Sequence, residues 1–251
     1  MQTSLDPTGG YLMSEPPRLD GTPAGEFVAE LLRGLIHKQN NVLGVIQGFS
    51  GLVRMTEGLD ETAQANLDRI REATQQSAAM WDRMLAAAGC VRLHPQPVRL
   101  QESLPLMESS LQSLGAPHGV PVRIKVGSDV PPVLADVGRL REVLVELIRN
   151  GVEAVASGGR PGMVAVDVLA SGQVPESRKG CVDVFVRNTG PEIPAAQLGT
   201  IFSPFKGTRD NHHFGLGLTI AAMLLGQMNA TIGVQSQAGA TTFWLSIPQA
   251  S

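Results

Sequence analysis

The strongest constraint on this chain is a pair of long apolar stripes set end to end. Phe27, Val28, Leu31, Leu32, Leu35, Val42, Leu43, Ile46, Phe49 and Val53 recur at threes and fours, the spacing of one helix face. After a short polar connection at 57–61, a second stripe runs through Leu59, Ala63, Leu67, Ile70, Thr74, Trp81, Met84 and Leu85 and fades near Gly89. Long helices joined by so few residues lie antiparallel. A lone hairpin of this kind has a wider apolar face than its partner helix can cover. The pattern therefore predicts a second copy and a dimeric four-helix bundle, with residues 24–92 as the hairpin.

The flanks differ. Residues 1–23 are rich in Pro, Gly, Ser and Thr and lack a hydrophobic period, which predicts a disordered tail. Residues 94–100 hold Pro95 and Pro97 and are expected to be a linker. From 97 to 251 the signals mix. Helices are expected at 101–115, 137–156 and 216–228, and strands at 120–127, 163–170, 181–187, 230–236 and 241–247. That order predicts an α/β sandwich with helices on one face of a mixed sheet, so the chain as a whole is α+β.

Composition narrows the function classes. A net charge of -3 with no basic stripe argues against a nucleic-acid partner. There is no apolar run long enough to span a bilayer and no signal-peptide pattern, so a cytoplasmic protein without membrane contact is expected. Cys90 and Cys181 show no metal-ligand spacing, which fits a reducing compartment.

Several residue groups point to chemistry. His37 and Asn41 stand one turn apart on the first helix. A neutral imidazole nitrogen is a nucleophile toward phosphorus, and an amide beside it can position a phosphoryl oxygen. Glu146, Asn150 and Glu153 share one face of the helix at 137–156, a set suited to magnesium beside a nucleotide. Asn188 and Gly190 end a strand in a turn, where the Asn188 side chain would face a base. Gly215, Leu216 and Gly217 open the helix at 216–228, where backbone N–H groups can meet a phosphate. Between them lies Phe202-Ser-Pro-Phe205-Lys206, read as a hinged lid, with Lys206 and Arg209 able to reach phosphates.

In their order and spacing these motifs resemble the boxes of two-component histidine kinases. His37 with Asn41 resembles the acceptor-histidine box, and residues 136–154 resemble the asparagine box. Residues 186–193 resemble the first glycine box, Phe202 to Phe205 the phenylalanine box, and Gly215 to Leu218 the second glycine box. The closing strand signature is similar at Gly239, Thr241, Thr242 and Phe243. The resemblance covers about residues 25–248. It implies a dimeric acceptor-histidine hairpin and a Bergerat-type ATP-binding domain like those of gyrase and Hsp90. His37 would take the γ-phosphoryl of ATP and pass it to an aspartate on a response-regulator receiver domain. Asn150 would ligate Mg²⁺, Asn188 would face the adenine amine, and Gly190, Gly215 and Gly217 would let backbone approach the nucleotide. Signal would arrive through a sensor partner or the tail.

Three positions depart from the family pattern. Lys38 stands where an acid usually follows the histidine, Asn188 where an aspartate binds adenine, and Glu192 where the box has its second glycine. Two other readings stay open on the residues alone. One is a degenerate kinase that serves as a phosphotransferase or scaffold for regulators. The other is an ATPase or serine kinase with Glu146 as the water- or hydroxyl-activating group.

Overall fold

The computed structural model describes residues 3–5, 11–13, 23–170, 179–206 and 215–250. The chain divides into two units, Leu19–Val91 and the remainder. The first is a helical hairpin of α1 (Pro23–Arg54) and α2 (Glu61–Ala87). Asp60 starts α2 in extended backbone, its carboxylate accepting from Ala63 N–H at 2.6 Å. That satisfies one of the donors a helix start leaves open. The two helices are antiparallel. Arg54, in the last turn of α1, pairs with Asp68 near the start of α2. Arg33, early in α1, donates to the Cys90 carbonyl beyond the end of α2 at 3.3 Å. Ala29, Ile36 and Leu43, seven residues apart, form a buried seam on α1. Val42, Val45, Ile46, Phe49, Leu52 and Val53 on the same helix remain exposed.

The second unit contains, in chain order, β1 (Thr3–Leu5), β2 (Tyr11–Met13), β3 (Gln96–Val98), α3 (Leu100–Gln112), β4 (Val122–Val126), β5 (Val133–Ala135), α4 (Val137–Ser157), β6 (Val164–Ala170), β7 (Cys181–Thr189), α5 (Ala195–Leu198), α6 (Gly217–Gln227), β8 (Thr231–Gln237) and β9 (Ala240–Pro248). Seven strands form one sheet in the order β1-β2-β8-β9-β7-β6-β4. All its neighbours are antiparallel except β4 and β6, which run parallel, so the sheet is mixed. The register sets Val166, Val186, Phe243 and Val234 in one row, all buried. Against this face pack α4 and α6. Leu140, Val143, Leu144, Leu147, Ile148 and Val152 of α4 are at most 2% exposed. Each side chain of this size contributes about 1.5–3 kcal/mol when withdrawn from water. Helix α6 is buried almost all round, as a core helix should be.

Two segments differ from the expectations. Within the stretch 1–23 expected to be disordered, β1 and β2 pair with each other, and β2 pairs with β8 at Tyr11↔Val234 and Leu12↔Gly233. The edge of β8 offers unpaired backbone groups to any extended segment, and such pairing leaves no mark in composition. Within the expected linker 94–100, β3 pairs with β5. Strands of three residues, β3 and β5 alike, are too short for alternation to register. Asp136 locks this small sheet to α4. Its carboxylate accepts from His94 N–H at 2.9 Å and from Arg139 N–H at 3.1 Å. Burial opposes the Asp136 charge, but the backbone N–H groups of His94, Arg139 and Gly138 and the Arg139 guanidinium outweigh it, so its pKa lies below the usual carboxylate value. Among the described residues no helix is long and apolar enough to cross a membrane.

Candidate functional site

A cavity of about 580 Å³ opens between α4, the ends of β7 and β9, and the start of α6. Helix α4 supplies Glu146, Asn150 and Glu153 on one face, with Arg149 beside them. The sheet supplies Asn188, Thr241 and Phe243. Asn188 and Thr241 are directly opposed in the register of β7 and β9. Both are at most 4% exposed.

Two of these side chains are unsatisfied. The Nδ2 atoms of Asn150 and Asn188 are buried without a hydrogen-bond partner. An orphaned buried polar group costs about 1–3 kcal/mol, and a bound ligand is one way such a group is satisfied. A half-turn of either amide brings its oxygen to the same place, so each can meet a donor, an acceptor or a cation.

The start of α6 forms another wall. Gly215, Gly217 and Leu218 line the cavity. Leu216 is the helix cap but makes no side-chain capping bond. The first intrahelical bond runs from Ile220 N–H to the Leu216 carbonyl at 2.8 Å. The N–H groups of Gly217, Leu218 and Thr219 therefore lack intrahelical acceptors, and the positive end of the helix dipole points the same way. That geometry suits an anion. Glycine at 217 leaves room for the Glu146 carboxylate: a Cβ there would lie 2.5 Å from Glu146 Oε2, so that side chain would have to move.

The segment after α5 is pinned at one end. Phe202 is fully buried and packs edge-to-face on Phe243 at a centroid distance of 6.4 Å. Its carbonyl accepts from Thr219 Oγ1 at 3.0 Å. Three residues later Phe205 is 67% exposed and has φ of 61°. Lys206 follows, exposed, and lines the cavity. Arg209 lies outside the described residues.

The charges on the described lining do not balance. Glu146, Glu153 and Glu192 face Arg149 and Lys206. Glu146 is 4% exposed and pairs with Arg149 at 3.6 Å. A polyanion entering this cavity needs more positive charge than these side chains supply. No three His, Cys, Asp or Glu side chains among the described residues cluster to hold a metal alone. Magnesium, which is commonly held by one or two protein groups together with substrate phosphates and water, fits such a site.

The structure thus brings Asn150, Asn188, Lys206, Gly215 and Gly217 to one cavity. Gly190 and Leu216 lie behind its lining. Leu216 is 2% exposed, with its side chain in the core. A Cβ on Gly190 would sit 3.2 Å from the Ala154 carbonyl oxygen, so glycine lets the loop after β7 lie against α4. Sequence reasoning did not assign Arg149, Thr200 or Ile201 to the site. Thr241 and Phe243 entered it only through the family signature, although alternation along β9 puts both on the helix-facing side.

His37 and Asn41 belong to the helical unit. Both are exposed on α1, with Asn41 Nδ2 3.5 Å from His37 Nδ1. Lys38 is exposed beside them.

Comparison with known proteins bears on both units. Residues 135–251 match the family described as histidine kinase-, DNA gyrase B-, and HSP90-like ATPase. The chain is 26% identical over 235 residues to the signal transduction histidine-protein kinase BarA of Escherichia coli (strain K12), covering 89% of this chain and 25% of that protein. It is 31% identical over 238 residues to the C4-dicarboxylate transport sensor protein DctS of Rhodobacter capsulatus, covering 88% of this chain and 33% of that one. The chain therefore spans a quarter to a third of the length of these relatives. Full-length ShkA, solved in complex with AMPPNP, shares the fold at a TM-score of 0.73 and 24% identity, over 89% of this chain and 47% of that one. Residues 135–251 are accordingly a histidine kinase-, gyrase B- and HSP90-like ATPase domain, and over most of its length the chain is similar to histidine-protein kinases and sensor proteins.

Proposed function

We propose that the chain is an ATP-dependent protein histidine kinase, working in the cytoplasm as a dimer through residues 24–92 and binding ATP within residues 97–251. The observation that carries this reading is the cavity: two amides whose Nδ2 atoms are buried without partners, Asn150 and Asn188, share it with the open start of α6. A nucleotide supplies what each lacks. The base offers hydrogen-bonding edges to Asn188, and the phosphates offer acceptors to the N–H groups of Gly217 and Leu218. Lys206, and Arg209 after it, add positive charge at the phosphates.

Asn150, with Glu146 and Glu153 around it, would hold Mg²⁺, whose chemistry there is to neutralise charge on the phosphate oxygens. The remaining work is positioning. The unprotonated ring nitrogen of His37 forms an N–P bond to the γ-phosphorus as the bridging P–O bond breaks, and the electron pair leaves with ADP. Asn41, one turn on, would stand in for the acid absent at Lys38 by turning its Oδ1 to accept from the Nδ1–H, which leaves Nε2 unprotonated. A receiver-domain aspartate then takes the phosphoryl group, forming an O–P bond as the N–P bond breaks.

Titration of the chain with a non-hydrolysable ATP analogue, with and without Mg²⁺, tests the site. Binding that needs Mg²⁺ is expected, and Asn150→Ala should weaken it about tenfold or more, roughly 1.4 kcal/mol, with the fold unchanged. Equal affinity with and without Mg²⁺ and in the variant would sink the metal assignment.

A further inference from the structure

The loop 190–194 leaves β7 and forms part of the cavity wall through Pro191, Glu192, Ile193 and Pro194. It is fastened to the β8–β9 hairpin at three points. Gly190 N–H donates to the Gly239 carbonyl at 3.0 Å. Glu192 Oε1 accepts from Gly239 N–H at 3.0 Å. Ile193 N–H donates to Ser236 Oγ at 2.8 Å. The hairpin turn has Ala238 at φ of 52° and Gly239 at φ of 74°, the pair of left-handed residues typical of a two-residue turn. The strand pairing closes around it at Gln237↔Ala240. The hairpin itself has no use for the Gly239 N–H and carbonyl, and the loop takes both.

The clasp reaches the cavity floor. Ser236 Oγ lies 2.8 Å from Thr241 Oγ1. Thr241 is the register partner of Asn188, whose Nδ2 is buried without a partner. The loop wall is thus joined by hydrogen bonds to Thr241, which stands opposite the proposed base contact in the strand register.

We propose that Glu192 is a positioning residue for nucleotide binding: its carboxylate, held on the Gly239 N–H, sets the 190–193 wall before the ligand arrives. This rests on the nucleotide reading above. A carboxylate accepting from backbone N–H makes a strong bond, and a wall already in place spares the ligand the cost of ordering it. The sequence alone suggests the opposite sign, because a carboxylate near a polyphosphate should repel it. In the structure one carboxylate oxygen is engaged on the hairpin, which restrains the charge from swinging toward the phosphates.

The two signs separate in one experiment on the full chain. Affinity for a non-hydrolysable ATP analogue with Mg²⁺ is measured for Glu192→Ala and Glu192→Gln, together with amide-exchange protection of Gly239 in the nucleotide-free protein. Glu192→Ala should raise Kd about five- to tenfold and lose Gly239 protection. Glu192→Gln keeps an acceptor oxygen and should stay within about twofold of the parent. In labelling assays the alanine variant should raise the KM for ATP and leave kcat unchanged. Ser236→Ala, which removes the acceptor for Ile193 N–H, should weaken binding in the same direction and serves if Glu192→Ala does not fold. Unchanged or tighter binding in the alanine variants overturns the proposal alone, as does a loss in Glu192→Gln as large as in Glu192→Ala. If the parent chain binds no analogue, the nucleotide reading falls and the proposal falls with it.

Discussion

The two units of this chain solve the same problem differently. In the ATPase domain, α4 and α6 bury their apolar faces within one chain, and Leu147, Ile148, Ile220 and Leu224 are fully covered. In the helical hairpin, α1 buries a narrow seam at Ala29, Ile36 and Leu43 while Phe49 stays 66% and Leu52 64% exposed. An apolar face this continuous is unusual on a finished surface. The ATPase domain has a core of its own, and the hairpin leaves part of its apolar face uncovered. The proposed functions follow the same division: a cavity for a small ligand needs rigid walls, whereas a helix that presents an exposed histidine to other proteins works through its surface.

The comparison can be broken from either side. Leu147→Ala, in the middle of the covered face, should cost the ATPase domain about 2–5 kcal/mol. Calorimetric melting should show that loss at every protein concentration. A loss that depends on concentration would mean this core, too, is shared between copies. Phe49→Asp should act on association instead. Sedimentation should show the dimer dissociation constant raised about tenfold or more, roughly 1.4 kcal/mol, with melting of the 97–251 domain unchanged. A parent chain that is monomeric at all concentrations would leave the exposed face of α1 without its proposed cover.

The smallest expected effect is electrostatic and belongs to the ATPase domain alone. The folded-state pKa of Asp136 is depressed, so its contribution to stability is present above the unfolded carboxylate pKa of about 3.9. The contribution fades as pH falls through the lower folded value. The stability gap between the parent and Asp136→Asn should therefore be full near neutrality and close only in strong acid. A gap that widens as pH falls would contradict the assigned sign.

What the residues alone made legible tracks the length of each signal. Helices α1, α2 and α4 carry apolar periods over many turns, and β6 and β7 are dense in valine. The strands β1, β2, β3 and β5 are three residues each, and they owe their existence to a partner elsewhere in the chain. The site divides the same way. Asn150, Asn188 and Gly217 stand out because their residue types are poor choices for plain helix or strand interiors, so their presence asks for a reason. Arg149 looks like any solvated helix residue until the cavity is seen. The bond of Glu192 to Gly239 crosses 47 residues and depends on a turn conformation that no local pattern reports, which is why the sequence suggests only its repulsive side.

The most direct test of the account is incubation of the purified chain with γ-labelled ATP and Mg²⁺, following acid-labile, base-stable label beside a His37→Ala variant. Label is expected on the parent and none on the variant, with both binding the nucleotide equally. Label that persists in His37→Ala, or its absence from a folded, nucleotide-binding parent dimer, would contradict it.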